Sequence, residues 1–285
     1  MRFSVVTPSF RSSKWLKLCI SSVADQSVDL EHVVQDAGSD DGTLEWLPAD
    51  KRVKAFVEKD KGMYDAVNRG LKRTQGEILS YLNCDEQYLP GALAAVGELF
   101  QRNPEVEIVF GDVIITDPQG EFLSHRKSLL PISGHSRVSG NLSILTCATF
   151  FRRSVIESRG LFFNSNLRDL GDADWVIRCI EQKVPMALLN QFTSVFTDTG
   201  ENMNSKPNAF REKRELYNAA PRWMKTLKGP IILHHRLRKL WSGSYLQKPF
   251  NYQIYTLGDA GKRKTLAVSR PSGVWNPYSP ERERG

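Results

Sequence analysis

The stretch YLNCDEQYLPGAL (Tyr81–Leu93) decides the fold class. It follows an apolar run, EILSYL (Glu77–Leu82), that reads as a short buried strand. The chain then breaks into Asn83, Cys84, Asp85 and Glu86, and Pro90-Gly91 opens a helix. A strand, an acidic loop and a helix in succession are the unit of an α/β protein. Its ligands bind in the crevice outside the carboxyl ends of the strands. Acids at that edge make a hard oxygen site for Mg²⁺ or Mn²⁺, ions that commonly bring a phosphate with them. An ordinary polar loop of solvated acids fits the same letters.

The pattern repeats on both sides of this stretch. FSVVTP (Phe3–Pro8), EHVVQD (Glu31–Asp36), VKAFVE (Val53–Glu58) and EIVFGDV (Glu107–Val113) read as further strands. Helical spacing of apolar residues covers Ser13–Gln26, Met63–Thr74 and Leu89–Arg102, with a short helix starting at Thr43. Strands alternating with helices predict a mostly parallel, Rossmann-like sheet with flanking helices. Residues 114–145 read as a meander or mobile loop, Ala148–Phe162 as a strand running into a helix, and Asp172–Gln182 as an amphipathic helix.

Charge divides the chain in two. Residues 206–285 hold 17 Lys/Arg against 5 Asp/Glu, while residues 1–205 hold 22 against 27. That asymmetry predicts a catalytic body, 1–205, and a basic extension, 206–285, that meets an anionic surface. No apolar run approaches the ~18–20 residues of a membrane-spanning helix. The opening MRFSVVTPSF has no signal-peptide core, so the expected location is cytoplasmic. Cys19, Cys84, Cys147 and Cys179 have no C-x-x-C spacing and are expected as free, mainly buried thiols.

Four loops fall at strand carboxyl ends: TPSF (Thr7–Phe10), QDAGSDDGT (Gln35–Thr43), EKDKGMYDAVNRG (Glu58–Gly70) and LNCDE (Leu82–Glu86). With CATFFRRSVIE and DADWVIR further on, their order resembles the family 2 glycosyltransferases of the GT-A fold, in the branch that assembles bacterial O-antigen, capsule and exopolysaccharide. The resemblance covers roughly residues 1–205. It implies a nucleotide-sugar donor with a UDP-sugar favoured, a divalent metal (Mn²⁺ or Mg²⁺), and inversion by direct displacement. It implies as acceptor a glycan or a polyprenyl-diphosphate-linked sugar.

Carried over by residue, Thr7, Pro8 and Phe10 match the family's first loop beside the nucleotide. Asp36 matches the first acid of its second loop, where Ala37 replaces the second acid, and Ser39 of the same loop joins the donor pocket. Asp65 and Asn68 match the G-x-Y-D-A-x-N segment along that pocket. Asn83 and Asp85 match the outer positions of the D-x-D metal motif, with an amide at the first, so Asp85 is the expected metal ligand. Asp172 matches the catalytic base, six residues before Arg178, and Gly171 stands where an acid often precedes it. Asp174 lies about 200° further round the helix, which favours a structural role; capping of the helix start is an alternative role for Asp172.

GPIILHHRLRKLW (Gly229–Trp241) mixes apolar and basic residues on an expected helix. It fits peripheral contact with anionic membrane, or a helix packed on the core. The closing stretch GVWNPYSPERERG is expected to be poorly ordered. A sugar nucleotidyltransferase is a second enzyme reading, disfavoured because TPSFRSSK is not Gly-rich. A nucleic-acid-binding protein is disfavoured by the acidic body.

Overall fold

The computed structural model of the chain describes residues 1–139, 142–200 and 207–275. The expected boundary at 205/206 and the end of the closing stretch, 276–285, lie outside them.

The first half alternates as the sequence predicts. It runs β1 (Phe3–Ser9), α1 (Ser13–Ala24), β2 (Leu30–Asp36), α2 (Thr43–Trp46), β3 (Lys54–Val57), α3 (Met63–Arg73) and β4 (Ile78–Tyr81). These strands lie in the order β3-β2-β1-β4 and every pairing is parallel. The four loops therefore leave the same edge of the sheet.

Beyond β4 the sheet mixes directions. The chain continues through β5 (Glu86–Tyr88), α4 (Ala92–Arg102), β6 (Ile108–Thr116), β7 (Phe122–Arg126), α5 (Ser133–Ser139), β8 (Thr149–Arg152), α6 (Ser154–Glu157), α7 (Gly171–Glu181) and β9 (Met186–Thr197). β8 runs antiparallel between β4 and β6, β9 pairs parallel with β6, and β5 closes the nine-stranded sheet antiparallel to β9. The expected meander at 114–145 is instead the end of β6, its antiparallel partner β7 and helix α5. The expected strand ended at Val113, whereas β6 continues through Thr116; within it the Asp112 carboxylate accepts the Ser128 backbone N–H at 2.8 Å.

Two hydrophobic layers cover the sheet. Val5 joins Cys19, Val23, Leu93 and Val96 beneath α1 and α4, while the next residue, Val6, joins Val67, Leu71, Trp175 and Val176 beneath α3 and α7. Successive strand residues face opposite sides, so a strand buried on both faces reads as continuous apolar sequence. Helix α3 sits close because Gly70 has no side chain: a Cβ there would lie 2.3 Å from Val6 Cγ1.

The extension was expected to be helical, with a helix over Gly229–Trp241. It forms α8 (Pro207–Asn218), α9 (Arg222–Thr226) and α10 (Lys228–Trp241), then an antiparallel hairpin of β10 (Phe250–Thr256) and β11 (Asp259–Val268). Tyr252, Ile254, Leu266 and Val268 of the hairpin pack with Leu89, Ile114 and Val195 of the body. The basic letters of β11 concealed its alternation. Buried Leu266 and Val268 face the body, while Lys262 and Lys264 are exposed.

Candidate active site

β4 delivers the acidic loop to the crevice. Cys84 is buried with Leu16, Ile20, Val34 and Leu47, and its thiol donates to the Pro8 carbonyl at 3.3 Å. That inward anchor turns the next side chain, Asp85, away from the cluster to a half-buried position. Glu86 is not a solvated acid: it begins β5, is 1% exposed, and accepts the Asn83 backbone N–H at 2.7 Å. Burial pushes both the Asp85 and Glu86 carboxyls up, and the Asp85 charge adds to the rise at Glu86.

Asp172 lies in the first turn of α7. Its Oδ1 accepts the Ala173 backbone N–H at 2.7 Å, and the Tyr64 hydroxyl, 3.4 Å from Oδ1, accepts the Asp172 backbone N–H at 3.1 Å. Burial pushes the carboxyl up to about 6, against the pull of those donors. The Asp172 charge also helps to raise Glu86, so both ends of the proposed chemistry share one electrostatic field. Asp174 is committed elsewhere, in a 2.7 Å ion pair with Arg178.

Gly171 has no room for a side chain. A Cβ there would stand 2.6 Å from the Tyr64 ring, so the aromatic occupies the space an acid at this position would need.

Three features that hold Asp172 were not evident in the sequence. Tyr64 is one. The second is an aromatic column in which Phe163 stacks on Tyr64 and Trp175 with centroids 5.8 and 5.1 Å apart, joining α3 to α7. The third is Glu212 of α8, buried at 1% exposure, whose carboxylate accepts the backbone N–H groups of Arg168, Asp169 and Leu170 at 2.9–3.0 Å. A glutamate in a basic segment 40 residues from its partners leaves no local pattern; only Asn208, one turn earlier, marks the same helix face, donating to both Glu212 and Asp169.

The expected donor-side residues divide into contact surface and framework. Phe10 is 53% exposed at the loop after β1. Thr7 and Pro8 are buried, and the Thr7 hydroxyl is 2.8 Å from His32 Nε2 beneath the sheet. Asp36 is fully buried and satisfied within its own turn, accepting Gly38 N, Ser39 N, Ser39 Oγ and Ser9 Oγ at 2.7–2.9 Å. Ser39 also accepts the Arg11 backbone N–H at 2.8 Å, which ties the first two loops together. Asp65 accepts the Lys61 backbone N–H and pairs with Arg69 at 2.9 Å. Asn68 uses both ends of its amide on the Phe163 backbone, at 2.8 and 3.0 Å.

Asp60, after β3, was passed over in the sequence. Its carboxylate accepts Gly62 N at 2.9 Å, and burial, with Asp65 and Asp36 nearby, pushes it up. It stands in the loop after β3, at the same edge of the sheet as Asp36 and Asp65.

A divalent ion suits Asp85. Among the described residues no three His, Cys, Asp or Glu side chains gather around one point. A Mg²⁺-type site needs only one or two carboxylates when substrate phosphates complete the shell. Among the described residues no Lys or Arg offsets the charge of half-buried Asp85, so a cation arriving with a diphosphate would supply what they do not.

Comparison with known proteins agrees with this geometry. Residues 4–160, just over half of the chain, match the model of Glycosyl transferase family 2. The PGL/p-HBAD biosynthesis glycosyltransferase of Mycobacterium tuberculosis H37Rv is 28% identical over 225 residues, 75% of this chain and 82% of the relative. Chondroitin synthase of Escherichia coli is 24% identical over 71% of this chain, which spans only 30% of that protein. Among solved structures, S. aureus TarS 1-349 in complex with UDP-GlcNAc aligns with a TM-score of 0.61 and 19% identity, covering 85% of this chain and 73% of that one. Full-length TarS is spanned to 44%. The mannosyltransferase PcManGT of Pyrobaculum calidifontis, in complex with GDP-Man and Mn2+, aligns with a TM-score of 0.53 over 74% of this chain and 60% of that one. The GT-A sheet, the order of its loops and the family match lead to one conclusion: the chain belongs to glycosyl transferase family 2 and is a glycosyltransferase.

Proposed function

We propose that the chain moves a sugar, with inversion, from a nucleotide-sugar donor to a hydroxyl of a glycan or polyprenyl-diphosphate-linked acceptor in bacterial surface polysaccharide synthesis. The observation that carries this reading is the pairing of two raised carboxyls with different surroundings, Asp85 after β4 and Asp172 at the start of α7. Carboxyls raised by burial at the edge of a cleft mark candidate functional sites.

Asp172 takes the proton of the acceptor hydroxyl as that oxygen bonds to the anomeric carbon and the bond to the diphosphate oxygen breaks. A base near about 6 is ionised at neutral pH yet basic enough to accept that proton. Asp85, with Asn83 beside it, would hold Mn²⁺ or Mg²⁺, which neutralises charge on the departing diphosphate. On the donor side Phe10 offers a face to the nucleotide, and Asp60 offers an acceptor for a base N–H, where Ala37 offers none. Asp36, Ser39, Asp65 and Asn68 shape that pocket through the bonds they make within the chain. A UDP-sugar is the favoured donor, in keeping with the UDP-GlcNAc bound to TarS.

No helix among the described residues is long and apolar enough to cross a membrane. Exposed Trp223, Leu240 and Trp241 beside the basic residues of α9 and α10 fit peripheral contact at an anionic inner membrane face. The test is a thermal-shift panel of UDP-, GDP-, TDP- and CMP-sugars with and without Mn²⁺. A donor at ~100 times its Kd raises stability by about 2.7 kcal/mol. A panel with no response from any sugar nucleotide would overturn the reading.

A further inference from the structure

Helix α10 packs against α5 on the α7 side of the sheet, where Ile231 lies beside Gly134 and His234 bonds to His135 at 3.1 Å. Between α10 and the turn after it runs an open groove of about 450 Å³. Lys228, His235, Arg236 and Lys239 line it from one face of α10, and Tyr245 closes its end. The volume falls within the ~300–1,000 Å³ of small-molecule sites.

Positive charge converges there, and among the described residues no acid answers it. Burial and the neighbouring Arg126 guanidinium pull Lys239 down, and burial pulls Arg126 down as well, with no carboxylate of the described residues acting on either. His235 is pushed lower by burial and by Lys239, Arg238 and Arg126, so it stays neutral and leaves the lysines and arginines as the charge of the groove. Like charges brought together under partial burial are costly, and an anion between them relieves the cost.

The rim is apolar. Leu233 (58% exposed) and Leu240 (63% exposed) flank Arg236 at helical spacings of three and four. A soluble anion would use the cations and leave these side chains in water. A molecule with a phosphate head and a hydrocarbon chain would use both.

We infer that the α10 groove is a binding site for the phosphate head of a lipid, with Arg236 and Lys239 holding the phosphate and Leu233 and Leu240 covering the chain. The inference deepens, and rests on, the reading that the acceptor is carried on a lipid phosphate. It places the lipid anchor on the helices that cover α7, outside the acidic crevice.

The test is flotation of the full chain with vesicles of phosphatidylcholine alone and of phosphatidylcholine with an equal amount of phosphatidic acid. Inorganic phosphate is titrated separately by calorimetry. The protein should float only with the mixed vesicles. Removing two surface charges by Arg236→Ala with Lys239→Ala should lower partitioning about 25-fold, from ~1 kcal/mol per basic residue at an anionic surface. Lys51→Ala with Lys262→Ala removes the same charge near α1, on the opposite side of the sheet, and should leave partitioning within about twofold. Unchanged melting temperatures establish that both variants are folded. Equal loss in both double variants would overturn the groove in favour of diffuse attraction. Equal flotation with pure phosphatidylcholine, whose phosphate diester is neutralised by choline, would overturn the role of an anionic phosphate head. Binding of inorganic phosphate without flotation would make a soluble anion the occupant. Stabilisation by UDP with Mn²⁺ reads the donor site alone. No stabilisation with flotation intact counts against the proposed nucleotide-sugar and metal site, and stabilisation without flotation counts against the groove.

Discussion

The Glu212 carboxylate accepts the backbone N–H of Leu170 at 2.9 Å, two residues before Asp172. Through this bond and its two companions, the extension after residue 206 holds the turn that starts α7. Glu212→Ala leaves three N–H donors without acceptors, those of Asp169 and Leu170 buried, at a cost of ~1–3 kcal/mol for each group that water cannot reach. The expected outcome is a melting temperature lowered by several degrees, with transfer reduced more than UDP binding; Glu212→Gln should recover part of both. Melting curves and calorimetry on the two variants check this. A Glu212→Ala protein with full transfer would show that the turn holds itself.

Asp172→Asn should keep donor and metal binding and lose ~10²–10⁴ in transfer rate, the usual contribution of a general base. In the native enzyme kcat/KM for the acceptor should rise with pH through about 6 and level off above it, because the base works when ionised. Asp174→Asn should cost stability through its lost pair with Arg178 and much less turnover. Turnover at saturating donor for both variants decides which carboxylate is the base.

The same carboxyl ties stability to pH. Its folded pKa of about 6 lies above the ordinary 3.8, so the folded state binds the proton more tightly. The contribution is full below pH ~4 and is lost as pH rises through about 6; a two-unit shift corresponds to ~3 kcal/mol at most. Asp172→Asn should therefore raise the melting temperature at pH 7 and lose that advantage near pH 4. A difference constant across that range would contradict the assigned shift.

Asp85→Ala should abolish Mn²⁺-dependent binding of UDP while the fold persists or gains stability, since a half-buried carboxylate that no described Lys or Arg offsets is removed. Calorimetry of UDP with and without Mn²⁺ is the measurement, and unchanged affinity would remove Asp85 from the metal site.

Gly171→Ala should destabilise by about 1–3 kcal/mol, the range for overpacking a close-packed site, because its Cβ would meet the Tyr64 ring at 2.6 Å. Pairing it with Tyr64→Ala should restore part of the lost stability, and a double-mutant cycle gives the coupling.

Much of the chemistry was legible because it follows local rules. Apolar runs buried on both faces mark β1, β2 and β4, and short acidic loops after them mark the crevice edge. Asp85 stood out for that reason, Asp172 was reached only through the family resemblance, and the charge asymmetry of the extension is a matter of counting. Residue roles were harder to read. Asp36 and Asn68 occupy expected positions, yet their polar atoms are consumed by Ser9, Ser39 and the Phe163 backbone. Those bonds depend on where other segments cross, which no window of sequence contains.

By itself the sequence determined the alternation of strands and helices, the parallel half of the sheet, the loops at its carboxyl edge and the basic character of the last 80 residues. Each follows from periodicity, turn chemistry or composition, which act over a few residues. Tertiary structure alone decided the mixed directions beyond β4, the hairpin folded against Ile114 and Val195, the burial of Glu86 and the grip of Glu212 on residues 168–170. These are long-range pairings, chosen because a buried carboxylate must find donors and an apolar strand face must find cover wherever the chain brings them.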